Sequence, residues 1–194
     1  LFRSLEIIQG EGGVYPADPI YLHHVRQLCS QRDILLIVDE IQTGFCRTGK
    51  WFAFQHAGIT PDMVVLAKAI AGGMPMGAVV CGEDIRPPAG LHGSTFGGNP
   101  LACAAGLASI GIMEKLDLAN IAAEKGTYLL NRLAGIASPL IREIRGRGLM
   151  IGMELKQKAK PVIDRLSDRG VLVLPAGPRV IRLLPPLIIP TNQL

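Results

Sequence analysis

Aromatic side chains make up only 5% of these 194 residues, too few for the stacked rings that hold single-stranded nucleic acid. Charge is sparse as well. Charged residues account for 19%, the formal net charge is +4 and the pI is near 9.0, with Lys and Arg scattered along the chain. That pattern suits small anions and excludes a nucleic-acid face. No apolar run approaches the roughly 18 residues a membrane helix needs, so no membrane partner is expected. No C-x-x-C pair occurs either, because Cys29, Cys46, Cys81 and Cys103 are far apart. With no signal peptide in front of them, reduced thiols and a cytoplasmic setting are the expectation. His23 and His24 are adjacent and have no HExxH-type partner; helical neighbours point about 100° apart, so no metal site is expected.

What the chain does have is a 48% hydrophobic share, enough for a real core in one domain or in a domain and part of another. It starts at Leu1 inside an apparent strand and stops at "PTNQL", where Thr191 reads as the N-cap of a helix just begun. A fragment of a longer protein is therefore expected.

Strand-like and helical segments alternate, which predicts an α/β fold with a mostly parallel sheet. Leu5 to Ile8 reads as a strand before the turn "QGEGG", Asp18 to Arg32 as an acid-capped helix, and Ile34 to Val38 as a buried strand. "DMVVLAK" and "GAVVCG" read as two more strands. Helices are predicted from Pro100 to about Leu116 and from about Leu118 to Ala134. Beyond Pro139 the strands "LMIGMEL", "VLVLP" and "VIRLLP" surround one helix, Lys158 to Arg169. The division expected is residues 1–137, half of a large domain with interdomain helices, and 138–194, a smaller and incomplete α+β domain.

"LLIVDEIQTGFCRTGK" admits two chemistries. Gly44 to Lys50 spells G-x-x-x-x-G-K after Asp39-Glu40, which suggests a phosphate loop beside a magnesium-binding strand. Trp51 stands where the metal-binding hydroxyl belongs, and Asp39 precedes the loop too closely for separate strands. The better reading of "RTGK" is a polar helix start, with Arg47 available to an anion.

Open α/β sheets bind ligands outside the carboxyl ends of their strands. Asp39 closes "LLIVD" and Lys68 closes "MVVLAK", a separation that one crossover between parallel strands fills. Ala67, Ala69, Gly72 and Gly73 around Lys68 predict a partly desolvated amine, which favours the neutral nucleophile. A lysine paired with a buried carboxylate is what pyridoxal phosphate requires: the amine holds its aldehyde and the carboxylate keeps its ring nitrogen protonated.

The motifs "EIIQGEGG", "LLIVDEIQTGFCRTGKWFAFQHAGITPD", "LAKAIAGGMPMGAVV", "HGSTFGGNPLACAA", "IREIRGRGLMIGMEL" and "IRLLPPLII", taken in this order, resemble the class III aminotransferases, pyridoxal-phosphate enzymes of fold type I. The resemblance runs from Glu6 to Pro190. "HGSTFGGNPLA" and "AGPRVIRLLPPLII" are most similar to acetylornithine aminotransferases and to the related enzymes that act on a carrier-bound intermediate in lysine biosynthesis. Ornithine and 4-aminobutyrate aminotransferases are the rival readings within the family; an aminomutase and a catalytically silent fragment are the others.

The resemblance implies transfer of a terminal amino group to 2-oxoglutarate through pyridoxal phosphate. It implies that Lys68 carries the cofactor and shuttles the proton, that Asp39 partners the pyridine nitrogen, that Gln42 bonds the phenolic oxygen and that Ile41 packs on the ring. It further implies that Ser94 and Thr95 serve the cofactor phosphate of the neighbouring subunit, so that a homodimer shares its active sites. Arg182 would clamp a substrate carboxylate and Glu11 would neutralise that arginine when the amine donor is bound. Ile7 stands where the family usually has Pro, and the family's upstream phosphate loop, ring-stacking aromatic and substrate arginines have no counterpart in these residues.

Overall fold

The computed structural model describes residues 2–86 and 88–194, except for the side chain of Phe2. Two four-stranded sheets organise it. The first contains β1 (Phe2–Glu6), β4 (Leu35–Asp39), β5 (Met63–Leu66) and β6 (Ala78–Cys81), in that spatial order. The other connects β7 (Ile141–Arg147), β8 (Met150–Leu155), β10 (Val180–Leu183) and β9 (Leu174–Pro175). A two-stranded ribbon, β2 (Ile8–Gln9) with β3 (Tyr15–Pro16), leads out of β1.

In the first sheet β1, β4 and β5 run parallel and β6 runs antiparallel to β5. The connection 67–77 between β5 and β6 is too short for the dozen or more residues of a parallel crossover, so β6 returns as a hairpin partner. β4 buries one face only. Leu36 and Val38 are fully buried beside Leu22 and Cys29 of α1 (Pro19–Gln31), whereas Leu35 is exposed. The expected strand buried on both faces is thus corrected to a strand covered on one. α1 starts as its sequence directs: Asp18 accepts from the Ile20 and Tyr21 amides, and Pro19 occupies the first turn.

α2 (Pro100–Lys115) and α3 (Leu118–Ala134) match the predicted helices. α3 packs on the second sheet through glycine. A Cβ built on Gly126 would lie 2.3 Å from the Gly148 carbonyl oxygen, and one on Gly148, at φ +55, would lie 2.4 Å from the Thr48 carbonyl carbon. The segment 47–49, α3 and the β7–β8 turn therefore meet backbone to backbone, which only glycine permits.

Four local expectations change. "RTGK" does not start a helix: Phe45 and Cys46 adopt positive φ, and the first helical turn after them is the short 3-10 segment Ala53–His56. Ile7 interrupts the expected first strand, because its carbonyl accepts the Ala17 amide. Thr191 opens a 3-10 turn whose cap position is Pro190, and no side chain caps it. The last predicted helix is shorter, α4 (Lys160–Ser167), entered through Pro161.

Candidate functional site

Register builds the site first. Glu6, Asp39 and Val65 are aligned across β1, β4 and β5, so the parallel strands end together and Lys68 follows Val65 by three residues on the same edge. The half-buried Asp39 accepts the Ile41 amide through Oδ1 at 2.9 Å, which turns the chain sharply away from the strand. Its Oδ2 has no hydrogen-bond partner among the described residues. Glu40 points the other way, fully buried, accepting from Thr43 Oγ1 and from the Phe54 amide at 2.9 Å. Burial pushes the Glu40 carboxyl above its usual range. In the sequence Glu40 looked like half of a metal pair; it is the anchor of the turn that presents Asp39, Ile41 and Gln42.

Lys68 has φ +52, a left-handed conformation uncommon outside glycine and often found where a fold sets a functional side chain. It begins a 3-10 turn, Lys68–Ala71, that Gly72 closes at φ +58. The expected desolvation is not present: Lys68 is exposed.

Arg182 reaches the same region from the second sheet. Its side chain is 7% exposed, and its Nη1 donates to Glu11 Oε1 at 2.7 Å and to Gln42 Oε1 at 2.9 Å. Gln42 Nε2 in turn donates to Glu11 Oε1 at 3.3 Å. The guanidinium holds the Glu11 carboxyl below its usual range, with a smaller contribution from the nearby Lys68 charge. Among the described residues the buried Nε of Arg182 has no partner, so the guanidinium's donors are not all used. In this arrangement the Gln42 amide is engaged with Arg182 and Glu11 and not turned toward a ring oxygen.

Ser94 and Thr95 lie apart from this cluster on an exposed segment, where Ser94 Oγ accepts the Gly97 amide at 3.0 Å. Ile41 is half-buried in the turn after Asp39. Arg47 does not face an anion. Its Nη1 donates to the carbonyls of Leu149 at 3.1 Å and Pro185 at 2.6 Å, and burial lowers its pKa to about 10. Sequence reasoning missed Arg145, a buried cation beside Arg182 whose importance depends on strand register.

The donor set suits pyridoxal phosphate: an amine and a carboxylate with a free oxygen at adjoining strand ends, faced by a buried guanidinium. The two-sheet architecture is the fold of the fold type I class of pyridoxal-phosphate proteins. The chain belongs to the Aminotransferase class-III family, whose description matches residues 4–194. It is 52% identical over 193 residues to the [LysW]-aminoadipate semialdehyde transaminase of Deinococcus radiodurans, covering 98% of this chain and 45% of that protein. It is 47% identical to the acetylornithine aminotransferase of Bacillus subtilis, covering 98% of this chain and 50% of that one. An ornithine aminotransferase structure from Toxoplasma gondii, described as partially occupied by PLP, superimposes with TM-score 0.90 at 39% identity, over 98% of this chain and 47% of that one. The chain spans about half the length of the curated relatives it matches.

Proposed function

We propose that the whole protein moves a terminal amino group, from N-acetylornithine or an acylated lysine, to 2-oxoglutarate with pyridoxal phosphate. The observation that carries this reading is the buried Arg182 paired with an exposed Glu11 near Lys68. An arginine fork binds a carboxylate bidentately, and a neighbouring carboxylate that can swing away lets one pocket accept first a donor without a carboxylate there and then the dicarboxylate acceptor.

The cofactor, when bound, supplies a ring that withdraws electrons from the reacting carbon. Lys68 Nζ would hold the cofactor's aldehyde and would move the proton at the substrate carbon that bears the nitrogen. Asp39 would keep the ring nitrogen protonated, Ile41 would pack on the ring and Gln42 would serve the phenolic oxygen. Ser94 and Thr95 serve the phosphate of a neighbouring subunit in a homodimer. Exposed Leu91 and Phe96, at 79% and 82%, flank them, the apolar surface such an interface would cover. A cytoplasmic role in arginine or lysine biosynthesis fits the two named relatives. Free ornithine is the second donor reading, favoured by the ornithine aminotransferase structure with TM-score 0.90.

Borohydride reduction in the presence of pyridoxal phosphate, followed by peptide mapping, tests the site. The expected result is a reduced adduct on Lys68; an adduct on other lysines, or none, overturns the assignment. A donor panel then separates acetylornithine, acylated lysine and ornithine.

A further inference from the structure

Arg145 of β7, Gly152 of β8 and Arg182 of β10 are aligned across three neighbouring strands. Directly paired residues share a sheet face, so two buried arginines flank a position with no side chain. Into that gap fits the loop carrying Glu11. A Cβ on Gly152 would lie 2.8 Å from Val14 Cβ and 3.2 Å from the Gly13 carbonyl oxygen. Val14 is fully buried at φ +55, a strained conformation for a β-branched residue, so its surroundings must hold it there.

Arg145 supplies that hold. Its Nε and Nη2 donate to the Gly13 carbonyl at 3.0 and 2.7 Å, and its guanidinium lies 3.6 Å from the Tyr15 ring centroid. Its Nη1 is paired with Glu154 at 2.7 Å and Glu143 at 2.9 Å, while the Tyr15 hydroxyl donates to Glu154 at 3.0 Å. At the other end of the loop the Gly10 amide donates to Glu6 Oε2 at 2.9 Å. Between these two anchors Glu11 is held only by Arg182 and Gln42 among the described residues.

We propose that Arg145 is the positioning residue that sets Glu11 on Arg182, by fixing the Gly13 carbonyl and seating Val14 in the gap at Gly152. The two arginines thus divide the work across β8: one holds the loop backbone and the other offers its charge to a substrate carboxylate. This division rests on the reading of Arg182 and Glu11 given under Proposed function.

The test compares Arg145→Gln, Glu11→Gln and the double variant in the two half-reactions of the whole protein. Arg145→Gln is expected to lower kcat/KM with the amine donor about tenfold while changing that for 2-oxoglutarate less than about threefold, with no further loss in the double variant. Equal loss in both halves, or full additivity with Glu11→Gln, overturns it. If Glu11→Gln alone leaves the donor half-reaction unchanged, it is the reading of Glu11 that fails. Hydrogen exchange on the 194-residue chain itself gives a readout free of turnover. Arg145→Lys, which keeps the charge and loses the fork, should speed exchange at residues 10–16 about tenfold and leave β8 unchanged. Unaltered exchange in that loop also overturns the proposal.

Discussion

Glu11 and Arg182, 171 positions apart, form a 2.7 Å ion pair in which the arginine side chain is 7% exposed and the carboxylate 73%. The two partners are therefore unequal. The guanidinium is fixed by its sheet, whereas the carboxylate can leave for water at small cost. The pair is half buried, with only the carboxylate in water, so its consequences are sought in binding.

Glu11→Gln should slow the donor half-reaction by roughly tenfold to a hundredfold, the scale of one charge-assisted hydrogen bond lost beside a buried cation. Binding of 2-oxoglutarate should hold or tighten. Single-turnover kinetics for each half separate the two outcomes.

If Lys68 holds the cofactor as proposed, Lys68→Ala should abolish turnover in the whole protein. Activity within about tenfold of the parent would remove Lys68 from that role. Its exposure means the substitution leaves no cavity, so the melting temperature should barely change.

Gly126→Ala decides between two opposed effects. In an open helix it would stabilise by about 1 kcal/mol. Here the new methyl meets the Gly148 carbonyl at 2.3 Å, and overpacking of that kind costs about 1–3 kcal/mol. The difference is a net loss of up to about 2 kcal/mol, read by calorimetry as a fall in Tm of up to about 8 °C at roughly 2–4 °C per kcal/mol for a chain of this size.

His56 sets a pH dependence. Its Nε2 lies 3.0 Å from the Thr48 carbonyl and its Nδ1 3.1 Å from Arg147 Nη1; burial first, and the Arg147 charge second, push its pKa down to about 4. Above pH 6.5 the ring is neutral whether folded or not, and it exacts no penalty. As pH falls from 6.5 toward about 4 the unfolded chain takes up the proton first, so stability falls by at most about 1.4 kcal/mol per pH unit. Buried Glu40 acts in the opposite sense, its raised pKa favouring the folded state as pH falls. The difference between parent and His56→Gln in denaturant midpoint against pH isolates the histidine.

Arg47→Gln should destabilise by about 2–4 kcal/mol, because two carbonyls lose a charged donor. The guanidinium bonds Leu149 and Pro185 and so ties the segment between β4 and β5 to one edge of the second sheet, where β8 begins and β10 ends. Urea unfolding with an unchanged m-value is the expected signature.

Helices were readable because their signals are local: Asp18 and Pro19 mark the start of α1, and α3 occupies the predicted residues 118–134. Asp39 and Lys68 were readable as a pair because chain separation alone allows a parallel crossover. β7 was missed. "IREIRGR" carries charge on alternate positions, since one face of that strand holds arginine for an ion network and not apolar core. Arg145 and Glu40 escaped for the same reason: a buried charge looks like a solvated one until its partners, far away in sequence, are known. The exposure of Lys68 was misjudged because small neighbours say nothing of what covers an edge from outside.

The empty position at Gly152 bears on how the second sheet finds its pairing. Slipping β8 by one residue would set Ile151 or Met153 between the two arginines and evict Val14, so the strand that carries no side chain there proofreads its own alignment. A misregistered sheet would announce itself as a loose loop and a rejected substrate before any loss of compactness.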